Sequence, residues 1–283
     1  MGGMDSALRR VNVEEPVSRL AILSTKFAKL ALLLAALALV AAHARGALAR
    51  FFAILTLQPS AAPDQGVGLY IFCVALGVAI VAIGLALGAM ASIWIKGRRG
   101  VGKIIATFLL LALLAPYPAF LIYTAGGPPP WLADISTDVE DPPAFLTSPD
   151  ALAGRGGWTP GAFNSARGEE QLAAYPDVKP IALDMEMDEA FKATREVVQQ
   201  LRWKILEEVR PGGPKRPEGH IEALAHSPAL NLPVAISIRI RPGQDETRVD
   251  MRAATRYLRN DLGAGAKLIG KLSDLLDEKD EAN

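Results

Sequence analysis

Two kinds of hydrophobic pattern divide the chain. Residues 67–95 run for 29 positions, and residues 104–125 for 22, without one charged side chain. About 20 apolar residues in a helix cross the hydrocarbon of a bilayer, and at that length only a helix satisfies its own backbone in lipid. Both stretches therefore predict membrane spans, the second kinked in its outer half by Pro116 and Pro118. A shorter apolar run, 30–42, extends back to Ala21 across Lys26 and Lys29. It predicts a first span over about 24–44 whose lysines snorkel to the headgroups. The competing reading is a signal peptide cut after Ala42, His43 and Ala44. The 29 residues ahead of the run are long for a leader, which favours a retained span.

Beyond residue 178 the period changes. Residues 178–183 predict a short strand, and 189–201 a helix capped by Asp188 with Phe191, Thr194, Val198 and Leu201 on one face. Residues 203–209 alternate, placing Trp203, Ile205, Glu207 and Val209 together. Residues 220–226 and 234–241 alternate again, the latter with Val234, Ile236, Ile238 and Ile240 inward. A turn at 242–245 leads to a strand over 248–254, and matching the apolar faces pairs Ile238 with Val249 and leaves Arg239 facing Arg248. A last helix is expected over 261–277, with Leu262, Ile269, Leu272 and Leu276 on one stripe. The fold class is thus an α-helical transmembrane bundle of three spans followed by an α+β domain, an antiparallel sheet with helices on one face. The domain plan is a membrane part over 1–125, an α+β domain over 131–277 and an acidic tail over 278–283. A linker and loop over 126–180, rich in Pro, Gly and Asp, lies between, and its spaced aromatics Phe145, Trp158, Phe163 and Tyr175 suggest a segment draped over the core.

Charge sharpens this division. Residues 1–125 hold 11 Lys/Arg against 4 Asp/Glu, and residues 126–283 hold 19 against 26, a formal sum of zero. An acidic water-soluble half argues against nucleic acid as a partner. The single cysteine, Cys73, excludes an internal disulfide. Lys96, Arg98, Arg99 and Lys103 crowd the loop between the second and third spans, whereas the 45–66 loop has two arginines. By the positive-inside rule the amino terminus is cytoplasmic and the carboxyl-terminal domain lies outside. In a bacterium this is a multi-pass inner-membrane protein with a periplasmic domain. Trp94, Tyr117, Tyr123 and Trp131 fall near the expected interfaces. Spans two and three carry no acidic residue, which argues against an ion-coupled transporter. Gly84, Gly88 and Ser92 form a small-xxx-small ridge, suited either to packing within the chain or to a homo-oligomer.

Candidate chemistry is sparse. His220, Glu222 and His226 share one strand face, but the two histidines lie about 20 Å apart along a straight strand, so a solvated face is expected and no metal site. The 265–271 segment nearly matches a phosphate-binding loop, but Leu272 stands where a Ser or Thr should hold magnesium. No cofactor is implied. Arg252, Arg256 and Arg259 precede a helix that starts at Asp261, with Gly263 and Gly265 beside it. A helix N-terminus and these arginines could hold an anion, such as a lipid phosphate or a carboxylate. The alternative is that they pair with Asp250, Asp261 and the cluster Asp134, Asp138, Glu140 and Asp141. Arg239, Asp250, Arg252, Arg256, Asp261, Asp134 and Asp138 are therefore the candidate ligand-binding residues. No catalytic residue is assigned, since nothing assembles a nucleophile with its base.

The order of certain blocks resembles a known family. Asp134, Ile135, Ser136, Thr137 and Asp138 are followed by Pro142, Pro143, Ala144 and Phe145, then by Tyr175, Pro176, Asp177, Val178, Lys179 and Pro180. Trp203, the Ile221, Glu222, Ala223 block, Arg239, the Val249 to Arg252 block, Thr255, Arg256 and the Asn260 to Gly263 block complete the series. Over about 131–277 this resembles the domain-of-unknown-function family 1499 of bacteria and plastids, some members of which have membrane helices ahead of the domain. It departs where family members have two acidic residues before the Arg239 strand and serines around Arg252, for here stand Pro233, Val234, Ala235, Ala253 and Thr255, and it lacks an Asn near Gly265. The resemblance implies an architecture and no activity. The expected function is binding of an envelope component by the outer domain: a lipid, an anion or an envelope protein. An envelope hydrolase or transferase using Asp134 and Asp138 with Arg252 and Arg256 is the alternative, and a structural subunit of a membrane complex the third.

Overall fold

The computed structural model describes residues 16–43, 67–124, 132–212, 217–227, 231–244, 246–257 and 261–282. The 45–66 loop, the proline spacer at 126–130, Trp131, Arg259, and Arg9 and Arg10 lie outside the described residues. The chain divides into two compact units, one made of residues 1–41 and 68–116, the other of 42–67 and 117–283.

Among the described residues three helices are long and apolar enough to cross a membrane, Arg19–Ala42, Val67–Lys96 and Val101–Phe120, and most of their length belongs to the first unit. Helices α1 (Arg19–His43) and α2 (Val67–Lys96) both bury small residues at alternating steps of three and four. In α1 these are Ala21, Ser24, Ala28, Ala31, Ala35 and Ala38; in α2 they are Ala75, Ala79, Ala82, Ala86 and Ala89. Ala21 clusters with Ala86, Ala89 and Ile104, since small side chains let helix backbones approach where no hydrophobic effect drives them together. Of the ridge Gly84, Gly88 and Ser92, the last two are half-buried. Gly84 is exposed, and a Cβ there would meet nothing within 4 Å; at Gly88 it would meet only Leu20. The helix predicted over 104–125 starts three residues earlier, as α3 (Val101–Leu114), and gives way at Ala115 to α4 (Pro116–Thr124), because Pro116 has no N–H to continue the ladder. Gly100 caps α3 at φ 143°, where a Cβ would lie 3.1 Å from that of Ala21, so only glycine makes this turn.

The second unit contains one antiparallel sheet. Strands β1 (Asp134–Ser136) and β2 (Ile181–Leu183) lie end to end along one edge of β6 (Thr247–Thr255). The order continues through β5 (Pro233–Pro242) and β4 (Gly219–His226) to β3 (Lys204–Val209). Helices α7 (Met187–Gln200) and α8 (Ala264–Glu281) cover one face. Phe191, Val197 and Val198 of α7 and Leu268, Ile269, Leu272 and Leu276 of α8 meet Ile221, Ile236, Ile238, Ile240, Val249 and Met251. Glu186, not Asp188, precedes the first turn of α7, and α8 begins three residues after Asp261.

Two expectations about the sheet are corrected. Ile238 pairs with Met251 and Arg239 with Asp250, a slip of two residues from the predicted register. The slip keeps the apolar faces matched and sets an attractive Arg–Asp pair where the predicted register had Arg239 against Arg248. The alternation of β3 is interrupted by a bulge between Ile205 and Glu207. The extra residue turns Glu207 and Val209 to the face opposite Ile205.

The second sheet face is not solvated. Residues 137–163 run across it as a strap, and two short helices, α5 (Pro149–Gly154) and α6 (Gly168–Ala174), belong to the predicted loop. Ser148 caps α5 by accepting from the Ala151 N–H at 3.1 Å, with Pro149 at the first helical position.

Candidate functional site

The strap face carries the polar residues of the strands, since alternation sends every second side chain there. Two ionic groups join strap and sheet, and a third pairs β1 with β6 beside the strap. At one end Asp250, fully buried, accepts from Arg239 (3.0 Å), Arg241 (2.8 Å) and Arg248 (2.7 Å). Asp138 and Asp141 of the strap bind the same arginines, Asp138 taking Arg241 at 2.9 Å and Asp141 taking Arg239 at 3.0 Å. Burial alone would raise the Asp138 carboxyl, but the N–H groups of Asp141 and Glu140, with Arg248 and Arg241, outweigh it and hold it below the ordinary range.

At the centre Arg155 of the strap pairs with Glu222 of β4, neither side chain retaining any exposure. Arg155 also donates to the carbonyls of Leu146 (2.7 Å) and Trp158 (3.0 Å), while Glu222 accepts from the Leu146 N–H (2.7 Å). Glu222 is thus a fastening, not part of the solvated face expected of it. His220 beside it is pushed down to about 4 by burial and then by Arg239. Its Nε2 lies 3.2 Å from Ser237 Oγ, whose proton is donated to the Ala144 carbonyl at 2.7 Å. That pair resembles a nucleophile and base in distance alone, because the hydroxyl proton points away from the imidazole. His226 is exposed at the other end of β4.

At the third group Arg252 grips Asp134 with a fork, Nε to Oδ1 at 2.9 Å and Nη2 to Oδ2 at 2.6 Å. The guanidinium lies over the rings of Phe145 (5.0 Å) and Phe163 (5.4 Å). Burial raises the Asp134 carboxyl despite Arg252. Here a cleft of about 500 Å³ opens, lined by Leu132, Ala133, Asp134, Phe163, Asn164, Arg167 and Gln171. Gln171 closes the free edge of β1 as a further strand would, donating to the Ser136 carbonyl (2.7 Å) and accepting from its N–H (3.0 Å). Among the described residues Asp134 is the one carboxylate on the cleft wall.

The seven candidate residues therefore divide among separate places. Asp134 and Arg252 stand together at the cleft. Arg239, Asp250 and Asp138 belong to the ionic group at the far end of the strap. Asp261 fills the start of α8 with its own carboxylate, accepting from the N–H groups of Gly263 (2.8 Å) and Gly265 (2.6 Å). That is the position the predicted anion would have taken. Burial raises Asp261 over the pull of those N–H groups. Arg256 lies over the Tyr257 ring and does not line the cleft. Sequence reasoning missed Arg155, Gln171, Asn164 and Arg167. A signal was present for Arg155: Ser148, Pro149 and Asp150 mark a helix start seven residues before it.

A family model described as a protein of unknown function, DUF1499, matches residues 134–276. No curated protein matches the chain. No solved structure matches it.

Proposed function

The chain belongs to the DUF1499 family, the match spanning the whole sheet, α7 and most of α8, and we propose that this segment is a membrane-anchored binding module. It takes a mainly apolar small molecule with a hydrogen-bonding end, a lipid above all, in the cleft beside Asp134. The carrying observation is the cleft itself. Its volume of about 500 Å³ falls in the range of small-molecule sites, and Leu132, Ala133 and Phe163 give apolar wall beside the polar ends of Asn164, Arg167 and Asp134. The hydrolase reading has less support. Acid–base catalysis needs a second group in reach of the first, and Asp138 is held by arginines of another group.

The three apolar helices are compatible with a membrane protein, and the cations Lys96, Arg98, Arg99 and Lys103 around the turn between α2 and α3 support a cytoplasmic position for that turn. With that turn in the cytoplasm, the module faces the other side, the periplasm of a bacterial inner membrane, where lipids and envelope components are at hand.

Site-specific photocrosslinking tests the reading. With p-benzoylphenylalanine replacing Asn164 in the full-length protein, irradiation in the membrane should give adducts of lipid mass at residue 164. Filling the cleft by Ala133→Phe should abolish them. Adducts of protein mass would make the cleft a docking surface instead, and unchanged adducts in the Ala133→Phe protein would refute the cleft as the site.

A further inference from the structure

A second cavity, of about 780 Å³, lies within the membrane unit between the start of α1 and α3. Its two ends differ. One is cationic, with Lys29 from α1 and Lys103 from the first turn of α3, both exposed. Thr25 Oγ1 donates to the Lys103 carbonyl at 3.0 Å, so the two lysines stand at neighbouring levels, Lys29 one turn beyond Thr25. Side chains on a helix lean toward its N-terminus, and α1 and α3 both begin at this end. The α3 N-terminus, capped by Gly100 with no side-chain bond, adds positive potential. The rest of the groove is apolar: Ala106, Leu109, Leu110 and Leu113.

Charge and length together select the occupant. Lys29 and Lys103 give the groove two cations on its wall and, among the described residues, its lining holds no carboxylate. From Lys103 to Leu113 α3 rises about 15 Å. That is half of a hydrocarbon core about 30 Å thick, the depth of one leaflet. We infer that this groove binds one anionic phospholipid of the leaflet next to residues 97–100. Its phosphate lies against Lys29 and Lys103, and an acyl chain runs along Ala106, Leu109 and Leu113.

The test uses the full-length protein in detergent, incubated with equal amounts of phosphatidylglycerol and phosphatidylcholine, and native mass spectrometry to count the adducts. Wild type should favour phosphatidylglycerol about tenfold, the order expected of two lysines near an anionic headgroup. K29Q/K103Q should lose the preference, and K29R/K103R should keep it. Ala106→Phe should lower retention of both lipids by occupying the groove. K96Q/R98Q removes two neighbouring cations, at the end of α2 and in the turn after it, that do not line the groove, and it should leave the preference intact. Equal retention of both lipids by wild type overturns the proposal. So does a K96Q/R98Q protein as impaired as K29Q/K103Q, for the attraction would then be general to the loop. Far-ultraviolet circular dichroism identifies a variant that has lost its helices, and the arginine pair then decides. Residue 164 plays no part here, so the outcome is independent of the cleft.

Discussion

Arg155 and Glu222 form an ion pair from which solvent is wholly shut out, and it fastens the strap to the middle of the sheet. Glu222 also holds the Leu146 N–H and Arg155 the Leu146 carbonyl, so one residue of the strap is gripped from both sides. Breaking such a pair strands a charge in a dry place. Arg155→Met or Glu222→Leu should each destabilise the domain by about 3 to 5 kcal/mol, and the double replacement should recover much of that. Urea unfolding of the full-length protein, followed by tryptophan fluorescence, measures it. Single variants within 1 kcal/mol of wild type would mean the strap is held elsewhere.

His220 gives the domain an acid sensitivity of defined sign. An unfolded chain takes up the imidazole proton near pH 6.5, whereas the folded one resists it down to about pH 4. Between these values acid drives unfolding, and the stability present above pH 6.5 is lost as pH falls toward 4, by about 3 kcal/mol at most. His220→Gln, which retains a donor for Ser237, should flatten that part of the profile. Urea midpoints at pH 7, 5.5 and 4.5 for both proteins decide it, since Asp134 and Asp261 titrate alike in each.

The start of α8 offers a coupled pair. Asp261→Ala leaves two N–H groups without their acceptor and should cost about 1 to 2 kcal/mol. Gly265→Ala places a Cβ 2.8 Å from Asp261 Oδ2 and must push that carboxylate aside. The double variant should therefore be markedly less destabilised than the sum of the singles. Strict additivity in a double-mutant cycle would show that the carboxylate tolerates the methyl group.

Asp134→Asn separates kinds of ligand. The amide keeps the shape of the cleft wall and removes its negative charge, while its oxygen can still accept from Arg252. The yield of adducts at residue 164 should hold or rise. A fivefold fall would identify a positively charged ligand.

Much of the fold is legible in the chain because its core strands are apolar on one face and its spans on all. Ile236, Ile238 and Ile240 needed only period two to be placed inward. The pairing partner was another matter: a shift of two residues leaves every apolar contact facing the core, so only the polar face, with Arg239 against Asp250, distinguishes the registers. The bulge in β3 hid for a similar reason, since Leu206 and Glu207 look alternating until a residue is doubled. Asp134 and Arg252 were legible as candidates, and of the two readings the sequence left open for Arg252, an anion or the acidic cluster, the structure has the pairing with Asp134. The strap was legible as a draped segment from its spaced aromatics, but its fastenings were not, because they are long-range ion pairs, Arg155 to Glu222 and Asp138 to Arg241 and Arg248, which no local pattern announces.

The strap also sets where the chain can be shortened. Arg239, Arg241, Arg248 and Arg252 project from the sheet against Asp250, Glu222 and Glu207, and the balancing carboxylates Asp134, Asp138 and Asp141 arrive only with residues 134–141. A recombinant fragment beginning at residue 165 would lose Leu132 and Ile135 from the core and uncover four arginines against the three carboxylates of Asp250, Glu222 and Glu207. Such a piece should stick to polyanions and clump at low salt, whereas one beginning at or before Leu132 carries its own counterweight.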